Sequence, residues 1–255
     1  MSVTSDADIN SFQTYLQSCR GILALIGAGL SQASGIPPFR GLNCENWNGY
    51  DASDLCTPEA FCEDPLLVWQ FHAFCRQRAL KSNPNGGHIA LAKLASIWEK
   101  DMLTVTQNFD GLSERAGHPQ EYLVDMHGNL FNLRCTNVQC NFRKIDFDPN
   151  LGTSEVPKCP KCSALLRPAV VWFGELVPYN HIVATNEAIE TNRVDLVLCI
   201  GISAEVWPAA GYISEVVKRG GKVAVFNPDS GTKVKCDWFF KGGAEQWLPI
   251  ALNNI

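Results

Sequence analysis

The fold of this protein is decided by residues 23–41, which read LALIGAGLSQASGIPPFRG. The apolar run Leu23–Ile26 ends in the turn Gly27-Ala28-Gly29, the order of a parallel strand followed by a dinucleotide-binding turn. A dehydrogenase of the usual kind would continue with a helix and a third glycine at position 32, where Gln32 stands, and two prolines follow. A dehydrogenase would also have an acidic residue about twenty positions further on, at the end of a second strand, to hold a ribose. Near there this chain has Cys44, Glu45 and Asn46 in a predicted loop. The stretch therefore predicts a nucleotide site with a rigid, helix-breaking loop, different from that of an ordinary dehydrogenase.

Short apolar runs alternate with helix-like segments along the chain. The predicted strands are Ile22–Ile26, Met102–Thr106, Tyr122–Asp125, Asp195–Ile200 and Lys222–Phe226. The predicted helices are Ser5–Cys19, Pro65–Leu80, His88–Trp98, Tyr179–Thr191, Pro208–Lys218 and Ala244–Leu252. This alternation predicts an α/β fold with a doubly wound, parallel, Rossmann-like sheet.

Two stretches interrupt the alternation. Residues 41–87 have helix-like segments and loops without a strand pattern, and residues 134–166 are polar, rich in cysteine and poor in periodicity. We expect these two insertions to form a smaller lobe, helical in the first and zinc-binding in the second. The large lobe is then made of residues 1–40, 88–133 and 167–255.

Composition excludes several classes of protein. With a net charge of −5 and a pI of about 5.5, the chain is not expected to bind nucleic acid directly. No apolar run approaches the ~20 residues of a membrane span, and the first residues do not resemble a targeting signal. Eleven cysteines without an export signal favour metal binding in a reducing compartment. We expect an intracellular monomer of the cytoplasm or nucleus, with the mitochondrion left open.

Four cysteines have the spacing of zinc ligands: Cys135, Cys140, Cys159 and Cys162. Two close pairs separated by eighteen residues are typical of a four-thiolate site, although the first pair is spaced by four residues instead of two. Because four thiolates complete a tetrahedral shell, we expect the zinc to be structural. A zinc-ribbon DNA reader would use the same quartet, but it would leave the nucleotide-site residues unexplained.

Polar residues follow three further predicted strands, where open α/β sheets bind their ligands. They are Gln107, Asn108 and Asp110 after the second strand, Gly201 and Ser203 after the fourth, and Asn227 after the fifth. In the stretch VDMHGNL, His127 follows the third strand, and its imidazole is expected to project into the same crevice. Because an imidazole titrates near neutral pH, His127 is the candidate general base.

Taken together, these motifs resemble the sirtuin family. The matching segments are GAGLSQASGIPPFRG (27–41), TQNFDGL (106–112), HGNL (127–130), the cysteine quartet, RPAVVWFGE (167–175), GISAEVWPAA (201–210) and FNPD (226–229). The resemblance implies an NAD-dependent protein-lysine deacylase that consumes NAD as a co-substrate. Its partners would be acyl-lysine proteins or peptides, and its products the free lysine, nicotinamide and O-acyl-ADP-ribose.

The resemblance also implies roles for individual residues. His127 and Asn108 would be catalytic, with His127 taking a proton from a ribose hydroxyl. The residues implied to bind NAD are Gly27, Ala28 and Gly29 through backbone amides near the phosphates, and Ser31, Phe39, Arg40, Gln107, Asn108, Asp110, Gly201, Ser203, Asn227 and the backbone near Ala244. The substrate peptide would be clamped between two strands, one formed by Val171, Trp172, Phe173, Gly174 and Glu175 and the other by Glu205 and Val206. Backbone pairing tolerates many sequences, so we expect weak selectivity around the target lysine.

The sequence departs from the family at several positions. Pro38, Phe109 and Ile202 replace the aspartate, isoleucine and threonine usual there. One sirtuin branch, the desuccinylases, binds an acidic acyl group with a tyrosine and an arginine, and the aligned residues here are His72 and Cys75.

We therefore expect a deacetylase or another neutral-acyl deacylase, with Arg76 turned about 100° away from Cys75 on its helix. The alternatives are a desuccinylase or demalonylase that uses His72 to bind the acyl group, a mono-ADP-ribosyltransferase, or a scaffold without enzymatic activity.

Overall fold

The computed structural model describes residues 6–38, 46–98, 101–191, 194–203, 209–228 and 234–253, which form two lobes on separate sheets. The strands are β1 (Gly21–Ile26), β2 (Asn46–Trp47), β3 (Tyr50–Asp51), β4 (Asp101–Thr106), β5 (Leu123–Asp125), β6 (Gly128–Cys135), β7 (Arg143–Ile145), β8 (Leu166–Val170), β9 (Val194–Ile200), β10 (Lys222–Asn227) and β11 (Trp238–Lys241). The helices are α1 (Asp6–Ser18), α2 (Ala28–Gln32), α3 (Ala52–Leu55), α4 (Pro58–Glu63), α5 (Pro65–Lys81), α6 (Gly86–Ile97), α7 (Leu112–Arg115), α8 (Tyr179–Thr191), α9 (Ala209–Lys218) and α10 (Ala244–Ala251). No helix within these ranges combines the length and the hydropathy that crossing a bilayer requires.

The large lobe is built on a six-stranded parallel sheet in the order β11-β10-β9-β1-β4-β5. Ile26 at the end of β1 pairs with Thr106 of β4 and Ile200 of β9, so the three strands end level with one another. The predicted α/β class is confirmed, and all five predicted strands are present. The sixth, β11, was not predicted because a four-residue edge strand carries too short a pattern.

Helices cover both faces of this sheet because alternate residues of β1 point in opposite directions. Ile22, Ala24 and Ile26 share one buried core with residues of α1, α6 and α10. Leu23 and Leu25 lie in a second core together with residues of α8 and α9. The continuous apolar run at residues 22–26 is thus explained by burial on both sides.

The small lobe is built on a three-stranded antiparallel sheet, in the order β7-β6-β8, with α5 packed against it. The fully buried Arg76 of α5 donates hydrogen bonds to the carbonyl oxygens of Leu130 (2.8 Å), Asp146 (2.7 Å) and Asp148 (2.9 Å). Arg76 is therefore not a free cation. Its guanidinium instead ties the helix to β6 and to the segment after β7.

Two details of the small lobe differ from the sequence-based expectation. The β2–β3 hairpin lies within residues 41–87, where no strand was expected. β6 begins at Gly128 and β8 ends at Val170, so both strands extend past the expected lobe boundaries at 133 and 167. The reason is packing: Leu130, Phe131 and Leu133 are buried against α5 and belong to the small-lobe core.

The turn after β1 leads into the short helix α2, whereas the sequence suggested a loop. The helix ends after Gln32, and Gly35, with a φ of +87°, follows in the left-handed region. The turn lies against the turn after β9. A Cβ atom on Gly201, whose φ is +58°, would be 2.6 Å from both Gly29 Cα and Leu30 N. The two turns can approach this closely only because both lack side chains.

Substitution of Gly201 by alanine is expected to destabilise the protein more than the same change at Gly220. Both glycines have a left-handed φ, but a Cβ on Gly220 would meet no atom within 4 Å. Gly220→Ala should therefore cost about 1–2 kcal/mol of unfolding free energy, from backbone strain alone. Gly201→Ala should cost about 1–3 kcal/mol more, because the added atom overlaps backbone. Urea unfolding of both variants measures the difference, and equal losses would contradict the close packing of the two turns.

Candidate active site and zinc centre

Three polar side chains at the carboxyl ends of β1 and β4 form one network. Asn108 Nδ2 donates to Gly27 O (3.0 Å) and to Ser31 Oγ (3.1 Å). The Ser31 hydroxyl donates to Asp110 Oδ2 at 2.6 Å, and Asp110 Oδ1 accepts from Leu112 N at 2.9 Å. Burial raises the pKa of Asp110, although both hydrogen bonds oppose the shift. Ser31 is only 1% exposed, so in this structure its hydroxyl supports Asn108 and Asp110.

His127 lies between the two lobes, directly after β5 and before β6. Its Nδ1 is 3.0 Å from the carbonyl oxygen of Gln107. A carbonyl oxygen can only accept, so Nδ1 carries the proton and Nε2 keeps its lone pair. Burial lowers the pKa of His127, which keeps the ring neutral near pH 7. The arrangement leaves Nε2 able to accept a proton.

The side-chain amide nitrogen of Gln107, next to this histidine, is buried. Its Nε2 has no hydrogen-bond partner among the described residues. A buried amide donor without a partner is unfavourable unless a ligand satisfies it. Gln107 is therefore suited to bind a polar group that enters the crevice.

The Gly27-Ala28-Gly29 turn was expected to offer three backbone amides to a phosphate. Two of them are used within the protein, since Gly27 N donates to Ile200 O (2.9 Å) and Gly29 N donates to Gly201 O (3.0 Å). Within the described part of the chain, only the Ala28 amide of the three lacks a partner, and it lies at the N-terminus of α2. The glycines act mainly by allowing close backbone approach, and Ala28 is the amide suited to an anion.

The remaining residues expected to bind the cofactor lie around the same edge. Ser203 is exposed after β9, and Asn227 Nδ2 donates to Ile202 O at 3.0 Å, which links the ends of β9 and β10. Ala244 is buried at the start of α10, which packs against α2. Four predicted site residues lie outside the described ones: Phe39, Arg40, Glu205 and Val206.

A half-buried pair of carboxyl groups, Asp125 and Glu114, was not identified from the sequence. Burial, followed by the influence of Glu114, raises the pKa of Asp125 to about 8. Glu114 also accepts from Asn129 Nδ2 at 2.6 Å. Asp125 is thus mostly protonated near pH 7 and can donate a hydrogen bond to Glu114. The available signal was an acidic residue at the end of a predicted strand, two positions before His127.

The segment Val171–Glu175, expected to clamp the substrate, is held in place by hydrogen bonds to the rest of the protein. Val171 N donates to His127 O at 2.8 Å, which joins the segment to the candidate base. Glu175 accepts from both guanidinium nitrogens of Arg167 (2.7 and 2.8 Å), from Arg134 (2.9 Å) and from Trp172 N (2.9 Å). Although burial opposes it, the hydrogen bonds from Arg167 keep the pKa of Glu175 below its usual range.

The side chains of Trp172 and Glu175 therefore position this segment from inside the protein. The Arg167 guanidinium lies 3.2 Å from the centre of the Trp172 ring, and Trp172 is 2% exposed. Of the segment's two aromatic side chains, Phe173 is the exposed one, at 37%.

His72, a candidate substrate-binding residue, is buried inside the small lobe, and both its ring nitrogens are hydrogen-bonded. Its Nδ1 lies 2.8 Å from Val68 O and so carries the proton, while Nε2 accepts from Trp172 Nε1 at 3.2 Å. Burial lowers the pKa of His72 to about 4. Neither ring nitrogen remains for an acyl carboxylate, and the ring is neutral at pH 7. This geometry argues against the hypothesis that His72 binds an acidic acyl group, and we reassign the residue to the core. The neighbouring Cys75 is half-buried and packs on the small-lobe core.

The four predicted zinc ligands come together at the end of β6. The sulfur atoms of Cys135, Cys140, Cys159 and Cys162 all lie within 4.8 Å of one another. The distance from Cys135 Sγ to Cys162 Sγ is 3.4 Å, and from Cys140 Sγ to Cys159 Sγ it is 3.7 Å. Zn–S bonds of about 2.3 Å in a tetrahedron place the sulfurs about 3.8 Å apart, so the cluster fits one zinc ion.

Loss of one cysteine from this cluster is expected to release the metal and unfold the small-lobe sheet. Cys140→Ser should eliminate the single zinc ion of the wild type and lower the Tm by about 10 °C or more, because the metal contributes folding free energy. Cys62→Ser is the matched control, since Cys62 is exposed and outside the cluster. Elemental analysis and circular dichroism measure both effects, and retention of zinc by Cys140→Ser would contradict the site.

The buried His72 predicts a pH dependence of stability. Its pKa is about 4 in the folded protein against 6.5 for a free histidine, so between these values the unfolded chain binds one proton more. The free energy of unfolding should then fall by about 1.4 kcal/mol for each pH unit lowered through this window. His72→Gln removes this contribution, so the free energy of unfolding of the variant should depend less steeply on pH in this window, by about 1.4 kcal/mol per pH unit. Urea unfolding at pH 7, 5.5 and 4.5 tests it. His88→Gln gives an internal comparison, because burial lowers the pKa of His88 to about 4 as well.

Comparison with known proteins places this geometry in a family. The family model described as "Sir2 family" matches residues 27–208. A protein named NAD-dependent protein deacylase from Candida albicans is 42% identical, over 97% of this chain and 97% of its own length. A protein of the same name from Thermococcus kodakarensis is also 42% identical, over 94% of this chain and 93% of its own.

Solved structures agree with the sequence comparison. A structure described as a complex of a Sir2 homologue with NAD superposes with a TM-score of 0.87 at 34% identity, covering 99% of this chain and 95% of that one. A Sir2 homologue in complex with 2′-O-acetyl ADP ribose superposes with a TM-score of 0.86, also at 34% identity, over 98% of this chain and 95% of that one. The chain therefore belongs to the Sir2 family, the sirtuins that its sequence motifs resemble.

Proposed function

We propose that this protein is an NAD-dependent protein-lysine deacylase with a preference for neutral acyl groups. The observation that carries the proposal is the orientation of His127. Its Nδ1–H is fixed on Gln107 O, so Nε2 is a neutral base at the crevice where Asn108 and Asp110 meet. A general base in this position needs a substrate hydroxyl and an electrophile beside it, which is the arrangement of NAD-dependent deacylation.

The residues of the crevice fit NAD. Among the described residues, Gln107 Nε2 and the backbone amide of Ala28 have no hydrogen-bond partner. Gln107 Nε2 suits the carboxamide of nicotinamide, and the Ala28 amide at the start of α2 suits a phosphate. Asn108 would orient the ribose while Gly27 and Ser31 hold its side chain in place. The chemistry that NAD supplies when bound is an electrophilic ribose carbon with nicotinamide as its leaving group. His127 Nε2 would accept the proton of a ribose hydroxyl, and the protonated state of Asp125, two residues before His127, limits the negative charge in this part of the chain.

The preference for neutral acyl groups rests on the small lobe. His72 is neutral and both its ring nitrogens are occupied, and Cys75 offers no positive charge. Arg76, the cation next to it in sequence, is bound to three carbonyl oxygens. A carboxylate buried here without a cationic partner would lose its hydration without compensation. Acetyl and longer neutral chains avoid that cost.

A peptide series tests both parts of the proposal. One peptide carrying acetyl-, crotonyl- or succinyl-lysine is incubated with NAD, and acyl loss and nicotinamide release are followed by mass spectrometry. We expect kcat/KM for the neutral groups to exceed that for succinyl by about tenfold or more. His127→Ala should lower kcat by about a hundredfold or more, with peptide binding retained.

Two results would contradict the proposal in different ways. Equal or better turnover of succinyl-lysine would overturn the acyl preference but leave deacylation standing. Transfer of ADP-ribose to protein without acyl loss would instead identify a mono-ADP-ribosyltransferase.

A further inference from the structure

The small lobe has a groove that the proposed chemistry does not use. It has a volume of about 820 Å³ and runs across the face of β6 and β7 toward the start of α8. Its walls include Arg134, Arg143 and Lys144 from the two strands and Leu176 and Pro178 from the segment before α8. We call this feature the β6–β7 groove.

The charge of the β6–β7 groove is opposite to that of the whole chain. Three basic side chains line it, against the two carboxyl groups of Asp125 and Glu175. Asp125 is mostly protonated near pH 7, as described above. The chain as a whole carries a net charge of −5, so this positive surface is local.

Arg143 is the cation in the groove that is most available to a ligand. Lys144 Nζ lies 2.8 Å from Asp146, and Arg134 is bound to Glu175. Arg143 makes no ion pair with any described residue, and its guanidinium donates only to the carbonyl oxygen of the adjacent Phe142. It is exposed, so its charge can be offered to a bound anion without breaking an existing pair.

The groove also has exposed apolar side chains. Leu176 is 93% exposed and Ile145 65% exposed, although both are large hydrophobic residues. Exposed apolar side chains grouped around a concave surface are typical of sites that bind another molecule. The combination of an apolar wall and free positive charge suits a ligand with both acidic and apolar groups.

The β6–β7 groove is continuous with the segment proposed to clamp the substrate. Val171 and Glu175 belong to that segment and also line the groove. An extended polypeptide that lies along residues 171–175 would therefore pass into the groove on one side of the acyl-lysine. No comparable continuity favours a nucleic acid, and the net charge of the chain disfavours a polyanion.

We propose that the β6–β7 groove binds the part of the substrate protein that flanks the acyl-lysine, and that it selects acidic side chains accompanied by apolar ones. This inference rests on the proposed function, because it assigns the groove to the deacylase substrate. It also modifies the expectation of weak sequence selectivity around the target lysine. Backbone pairing accepts many sequences, but Arg143 discriminates among the flanking residues by charge.

The test uses fluorescent acetyl-lysine peptides that differ only in one pair of flanking residues. The pair is Asp-Asp, Asn-Asn or Lys-Lys, placed in turn at two to six positions on either side of the lysine. Fluorescence anisotropy without NAD gives Kd, and turnover with NAD gives KM and kcat. At one placement we expect the Asp-Asp peptide to bind about fivefold more tightly than the Lys-Lys peptide, with the change in KM and not in kcat. The difference should shrink at high salt.

Charge-reversal variants locate the effect. Arg143→Glu should abolish or reverse the preference for Asp-Asp, and Arg143→Gln should reduce it. Lys218→Glu is the matched control: it changes the net charge equally but lies on α9, which packs against β9 and β10. This control should keep the full preference.

Two outcomes would overturn the inference. One is equal binding of the three peptides at every placement, and the other is an acidic preference that survives in Arg143→Glu. Absence of deacetylation in the wild type with every peptide would contradict the proposed function instead, and the anisotropy data would still report on the groove by themselves.

Discussion

The close contact between two glycine turns fixes the crevice on which the rest of the site depends. Gly29 after β1 and Gly201 after β9 lie so near each other that neither position has space for a Cβ atom. The contact sets the position of α2, which carries Ser31 toward Asp110, and of Gly27, whose carbonyl oxygen holds Asn108. A displacement of this contact would reach Ser31, Asn108 and Asp110 together, because Ser31 is hydrogen-bonded to both of the others.

The zinc centre and the candidate base lie at opposite ends of β6. β6 begins immediately after His127 and ends at Cys135, a zinc ligand, and the antiparallel strand β8 returns to Val171, whose amide bonds to His127 O. A metal bound at one end of β6 can thus help to hold the segment after β8 in register with the candidate base. Arg76 strengthens the same unit from the other side, by bonding α5 to β6 and to the segment after β7.

Buried ionisable groups in this chain keep different charge states because their partners differ. His72 is held neutral between a carbonyl acceptor and an indole donor, and Asp125 is protonated beside Glu114. Arg167 and Glu175 remain an ion pair because two parallel hydrogen bonds compensate the loss of hydration. Protonation of Asp125 lowers the negative charge near the crevice, and Arg143 leaves a positive charge in the β6–β7 groove.

The sequence by itself determined the features that depend on local order. The buried run 22–26, the glycine turn, the spacing of the four cysteines and the family motifs are each contained in short segments, and the parallel sheet and the zinc cluster followed from them. Only the tertiary structure decided the state of His72, whose partner Trp172 is 100 residues away, and the inward direction of Glu175. It also decided the assignment of β6 and β8 to the small lobe, and it formed the β6–β7 groove. These features depend on contacts between distant segments, and neither periodicity nor residue spacing in a single sequence records which distant groups come to share a buried site.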